Sequence, residues 1–167
     1  MLSNRLRWGV STAVALVFMT CAGAALAACV CVAPEDVLKC YSEAYTSRDA
    51  DLLESVIADD YVWVAVVFPR AEIFDRETTV KASTALLTNE LVEDCSLNFG
   101  DNYILVAGDD DDTWRIEKLL VTLTVKLVSE EEPHSTTVCA TLYVRRTDGV
   151  PGFEIYREVT FEGMGCD

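Results

Sequence analysis

Beyond residue 33, apolar positions recur first at helical spacing and then at strand spacing. Val37, Leu38, Tyr41, Ala44 and Tyr45 fall at i, i+1, i+4, i+7 and i+8. That is one stripe of an amphipathic helix, opened by Pro34 and two acids, and it predicts helix over about 34–47. Asp49 is placed to cap a second, short helix carrying Leu52, Leu53, Val56 and Ile57, with Asp59 and Asp60 ending it. The period then changes. Tyr61 to Phe68 is an unbroken β-branched and aromatic run, expected as a strand buried on both faces and stopped by Pro69. A third helix is expected between Arg76 and Leu91, with Val80, Thr84, Leu87 and Leu91 on one side.

From Cys95 onward the chain reads as strand. Segments 95–99 and 103–107 flank a Gly100-Asp101-Asn102 turn, and a long strand over 114–128 alternates Leu119, Val121, Leu123, Val125 and Leu127 against Thr122, Thr124 and Lys126. Val138, Ala140, Leu142 and Val144 form the next inner face, and 153–161 closes the sheet after Asp148-Gly149. Three helices followed mainly by antiparallel strands predict an α+β domain with the helices packed on one face of a curved sheet. No internal repeat or interdomain linker interrupts it.

Residues 1–28 follow a different pattern: Arg5 and Arg7 without any acid, a largely apolar run over 10–18, then small residues. This is the composition of a secretory signal. Leu26-Ala27-Ala28-Cys29 resembles a bacterial lipobox, which predicts cleavage before Cys29, lipidation of its thiol and anchoring at the bacterial cell envelope. Ala25-Leu26-Ala27 also satisfies the rule for ordinary secretion, leaving a soluble secreted or periplasmic domain as the alternative. The division expected is therefore 1–28 signal, 29–33 tether and 34–167 folded domain. The last is of ordinary single-domain size.

Charge narrows the partners. The chain carries 13 Lys and Arg against 28 Asp and Glu, a formal charge of −15, and loss of the two signal arginines takes the exported part to about −17. Such a surface repels phosphate backbones, so no nucleic acid is expected as a partner. Cys21 leaves with the signal, and Cys29, Cys31, Cys40, Cys95, Cys139 and Cys166 remain. Ordinary secretion leaves an even set; lipidation of Cys29 leaves five and one thiol over. Export favours disulfides, and Cys166 near the end is placed to staple the tail. No metal is expected, because Cys29-x-Cys31 is not a paired zinc motif and His134 is the single histidine. Asp109–Asp112 lacks the spacing of a calcium loop and reads as a solvated turn, as does Glu130–Glu132.

One internal charge stands out. Phe153, Ile155, Val159 and Phe161 share the parity that should face the core, and Arg157 sits among them. A guanidinium there needs a carboxylate or a ligand, and Glu117, which shares parity with Leu119, is the candidate partner. A strand bulge or a snorkelling side chain would instead carry Arg157 outward. Trp63, Trp114, Tyr61 and Tyr103 are candidates to line a cavity or simply fill the core.

The stretch DVLKCYSEAYTSRDADLLESVIADDYVW, residues 36–63, resembles the opening of the nuclear transport factor 2-like superfamily, including its SnoaL-like members. The resemblance implies a cone-shaped half barrel with a pocket between sheet and helices. It does not decide activity, since such proteins include isomerases, dehydratases, hydrolases and binding domains. Tyr41, eight residues before Asp49, stands where steroid isomerase-like members place an oxyanion-hole tyrosine. The base those members carry after the Ala-Asp-Asp segment would fall near Ala65, in an uncharged run, and His134 is too isolated to supply a dehydratase-like dyad. The expectation is therefore a non-catalytic domain without cofactor, binding a small apolar or anionic molecule or a protein, with Tyr41, Trp63, Glu117 and Arg157 as pocket candidates. A small hydrolase, isomerase or dehydratase acting in the same pocket is the alternative. Tyr143, Tyr156 and Thr141 on the convex face are candidates for a homodimer contact.

Overall fold

The computed structural model describes residues 29–163 and Cys166. The signal segment expected over 1–28 lies outside the described residues. The order is α1 (Asp36–Thr46), α2 (Ala50–Val56), β1 (Ile57–Val67), β2 (Arg70–Asp75), α3 (Arg76–Leu87), β3 (Val92–Phe99), β4 (Ile104–Ala107), β5 (Thr113–Leu127), β6 (His134–Arg146) and β7 (Phe153–Phe161). The strands form one sheet in the order β2-β1-β7-β6-β5-β3, with β4 also on β5. Every pairing is antiparallel except β1 with β7. The sheet is curved and unclosed, and the helices cover its inner face: the α+β cone architecture.

The helices form where the apolar stripes lie. Val37, Leu38, Tyr41, Ala44 and Tyr45 are all buried. The Asp36 carboxylate accepts from the backbone N–H of Val32 and Ala33, both at 2.8 Å, and so settles the chain entering α1. Asp49 caps α2 through the Leu52 N–H at 2.9 Å, as its position predicts. Arg48, in the left-handed region at φ 57°, turns the chain between the two helices. Its guanidinium donates to the carbonyls of Leu87, Val92 and Asn89 at 2.6–2.7 Å, tying α1 to the end of α3 and the start of β3.

Several expectations change. Asp59 and Asp60 do not end α2; they lie within β1, where Asp60 takes a two-pronged ion pair from Arg145 at 2.7 and 3.0 Å. β1 is half-buried over most of its length instead of buried on both faces, because its inner side borders a cavity and not packed side chains. The run does stop at Phe68-Pro69, but the chain turns there into β2, which the alternation does not announce. α3 ends at Leu87, short of Leu91. β3 and β4 do not pair with each other across Gly100. They lie end to end along β5, Phe99 opposite Val121 and Ile104 opposite Glu117.

Two bulges decide which side chains face inward. In β5 the pairing steps from Ile116↔Leu142 to Leu119↔Ala140, an extra residue on β5 accommodated by Lys118 at φ 57°. In β7 it steps from Val144↔Ile155 to Tyr143↔Arg157, leaving Tyr156 as the extra residue. Phe153 and Ile155 face the core before the bulge, and Glu158 and Thr160 face inward after it.

Candidate functional site

Between the helices and the inner face of the sheet lies a cavity of about 580 Å³. β1 contributes Tyr61, Trp63 and Ala65, and α1 contributes Tyr41 and Tyr45. α3 adds Thr79 and Leu86, β5 adds Val121 and Leu123, and β7 adds Glu158 and Thr160. Most of this wall is apolar. A volume of this size is within the range that accepts a drug-sized molecule.

The polar groups converge on Glu158, which is only 8% exposed. Trp63 is its register neighbour on β1 and Leu142 on β6, so its side chain rises from the middle of the sheet. The Tyr61 hydroxyl donates to its Oε2 at 2.9 Å. Burial pushes the Glu158 carboxyl up to about 7, while hydrogen bonds from Tyr61 and Tyr41 pull it partly back. Burial, followed by the neighbouring tyrosine and Glu158 charges, drives the Tyr41 phenol well above its ordinary range. Tyr61 rises for the same first reason, with Glu158 next. Both phenols therefore stay protonated donors. Around this centre the Trp63 indole N–H donates to the Thr160 hydroxyl at 2.9 Å. Tyr45 and Ser83 share a hydrogen bond at 3.0 Å. The buried Thr79 hydroxyl has no hydrogen-bond partner among the described residues.

Tyr41 and Trp63 thus line the cavity. Arg157 and Glu117 do not. The β7 bulge turns Arg157 to the outer face, where it is exposed and its guanidinium stands 5.3 Å from the centre of the Tyr143 ring. The β5 bulge turns Glu117 outward as well, where it pairs with Arg115 at 3.4 Å. Neither serves the other. On the same convex face Tyr143 and Tyr156 pack edge to face at 6.0 Å, with Thr141 half-buried on β6. His134 is exposed and pairs with Glu130 at 2.7 Å.

The alternation of β7 does not point to Glu158. A strand read without its bulge places Arg157 inside and Glu158 outside, and one extra residue exchanges them. The charged residue at a core position was the available signal, because it marks where simple alternation fails.

Cys29 is bonded to Cys40, and Cys139 to Cys166, so the tail is stapled to β6. Cys31 and Cys95 are buried free thiols. Cys31 is fixed by its N–H donating to the Pro151 carbonyl at 2.7 Å.

This arrangement of a curved sheet, three helices and a cavity between them is the nuclear transport factor 2-like fold. A nuclear transport factor 2-like superfamily protein from Salmonella enterica superposes with a TM-score of 0.57 at 9% identity, covering 75% of this chain and 84% of that one. A scytalone dehydratase-like protein from Novosphingobium aromaticivorans superposes with a TM-score of 0.61 at 12% identity, covering 75% of this chain and 78% of that one. A protein of unknown function in nutrient uptake from Rhodospirillum rubrum does so at 0.56 and 19% identity, covering 77% and 97%. No family model matches the sequence, and no curated protein does. Identities this low carry the fold alone. Proteins of this fold include enzymes as well as proteins without an assigned role, so function rests on the cavity.

Proposed function

We propose that this chain is an exported, lipid-anchored domain that binds a small, predominantly apolar molecule in the cone cavity and engages one oxygen of it through the Glu158 and Tyr41/Tyr61 cluster. The observation that carries the reading is a largely apolar cavity of about 580 Å³ with a buried carboxyl held among tyrosine hydroxyls at its base. The charged residues lining it are Glu72, Glu158 and Glu162, with no cation among the described lining residues, which favours an apolar ligand over an anionic one. The unpartnered Thr79 hydroxyl supplies a second hydrogen-bonding point. Export and the envelope location rest on residues 1–28 and the lipobox-like Leu26-Ala27-Ala28-Cys29.

The test is a calorimetric screen of small aromatic and alicyclic ketones, alcohols and phenols. Binding should be lost in Ala65→Trp, which fills the cavity from β1. Undiminished binding in that variant would place the ligand elsewhere and sink the reading.

A second reading, acid–base catalysis in the same cavity, is favoured by one observation: a carboxyl near 7 exchanges protons at neutral pH. Incubating each ligand found with the protein and analysing for product separates the two. Turnover abolished by Glu158→Gln with binding retained establishes catalysis, and unchanged ligand establishes binding alone.

A further inference from the structure

Three sulfurs meet where the chain enters α1. Cys29 and Cys40 are bonded, and the Cys31 Sγ lies 3.1 Å from the Cys40 Sγ. Cys31 and Cys40 are both buried, at 4% and 0% exposure. The segment between them is held by Asp36 on the Val32 and Ala33 amides and by the Pro151 carbonyl on the Cys31 amide. Only about 1 Å of side-chain movement separates the Cys31–Cys40 contact from bonding distance. The two candidate loops, 9 and 11 residues apart in sequence, have nearly equal closure entropy. Cys29, by contrast, is half-buried at the outer end of the cluster.

We infer that Cys40 is a shared partner whose disulfide passes from Cys29 to Cys31, and that this releases the Cys29 thiol as the acceptor for lipid attachment. The inference rests on the lipobox reading above for its lipid half only. In the exchange the Cys31 thiolate attacks the Cys40 sulfur, the Cys29–Cys40 bond breaks, and Cys29 leaves as a thiolate that takes up the proton Cys31 has lost. One disulfide and one thiol stand on each side, so no external oxidant is consumed. If Cys29 is instead lipidated before oxidation, a disulfide-bearing oxidant of the envelope closes Cys31–Cys40 by thiol–disulfide exchange, taking their two electrons and two protons and leaving as a dithiol. Either order ends in the same product: a thioether at Cys29, formed when its thiolate displaces the phosphate headgroup from the glyceryl carbon of a membrane phospholipid, disulfides Cys31–Cys40 and Cys139–Cys166, and Cys95 as the odd thiol of the five that lipidation leaves. Cys95 is buried in the core, where an unpaired thiol is protected. Burial, reinforced by the Asp36 charge, pushes the Cys31 thiol up to about 11, so spontaneous exchange in the folded domain is slow and the choice is made during maturation.

The experiment is peptide mapping by mass spectrometry, under non-reducing conditions with free thiols blocked, of the full chain produced with its own signal in a bacterial envelope. The expected result is a diacylglyceryl-modified Cys29 with a Cys31–Cys40 cross-linked pair. A lipid on Cys29 with Cys31 and Cys40 both blocked as free thiols overturns the exchange and leaves the anchor standing. In parallel, Cys29→Ser is exported and mapped, which tests the pairing without any lipid. A Cys31–Cys40 bond there supports the shared partner even if the wild-type chain proves unlipidated, whereas free Cys31 and Cys40 in that variant overturn it.

Discussion

Replacing Glu158 with Gln should change how stability depends on pH more than it changes stability at low pH. The carboxyl moves from an ordinary value of 4.5 to about 7 in the fold, chiefly through burial. Below pH 4.5 it is protonated in both folded and unfolded chains and costs nothing in ionisation. Between 4.5 and 7 the unfolded chain releases its proton while the folded chain keeps it, so the folded state is progressively disfavoured as pH rises. Above 7 the full difference is in force, about 3 kcal/mol at 1.36 kcal/mol per tenfold change in proton affinity. Gln is neutral throughout and its carbonyl can still accept from Tyr61. Urea unfolding of both proteins with disulfides intact, at intervals from pH 4.5 to 8, gives a difference curve in which the other carboxylates cancel. The variant should gain about 3 kcal/mol relative to wild type across that interval. A flat curve would show that Glu158 titrates like an exposed glutamate, and would remove the physical basis for treating it as the centre of the site.

Tyr61→Phe takes away the 2.9 Å hydrogen bond that holds Glu158 down, so carboxyl NMR should find the Glu158 titration moved further up, by about one pH unit; movement downward would mean that Tyr61 opposes ionisation. Arg48→Ala leaves three carbonyls without their donor and should cost about 2 kcal/mol in denaturant unfolding, a loss under about 0.5 kcal/mol indicating that water replaces the guanidinium. Cys166→Ser opens a 27-residue separation and should lower stability by about 3 kcal/mol, measured against the oxidised parent, with no effect on occupancy of the cavity.

What the chain's own pattern determined are the features set within a few residues. The helical stripe of α1, the Asp49 cap of α2, the change of period at the first strand and the alternating faces of β6 are local, because each residue's place follows from the 3.6- or 2-residue repeat of its own element. The composition of 1–28 and the excess of acids are likewise properties of the chain itself. Tertiary structure decided the candidate site. Whether Arg157 or Glu158 faces the cavity turns on one extra residue in β7, and the outward turn of Glu117 turns on one in β5. Bulges belong to the pairing of two strands; the alternation of β7 alone shows a misplaced charge at Arg157 but not which residue takes its place inside. The meeting of Tyr41, Tyr61 and Glu158, and of Cys29, Cys31 and Cys40, is decided in the same way. Side chains far apart or ambiguously spaced in sequence become neighbours only when helix and sheet close on each other.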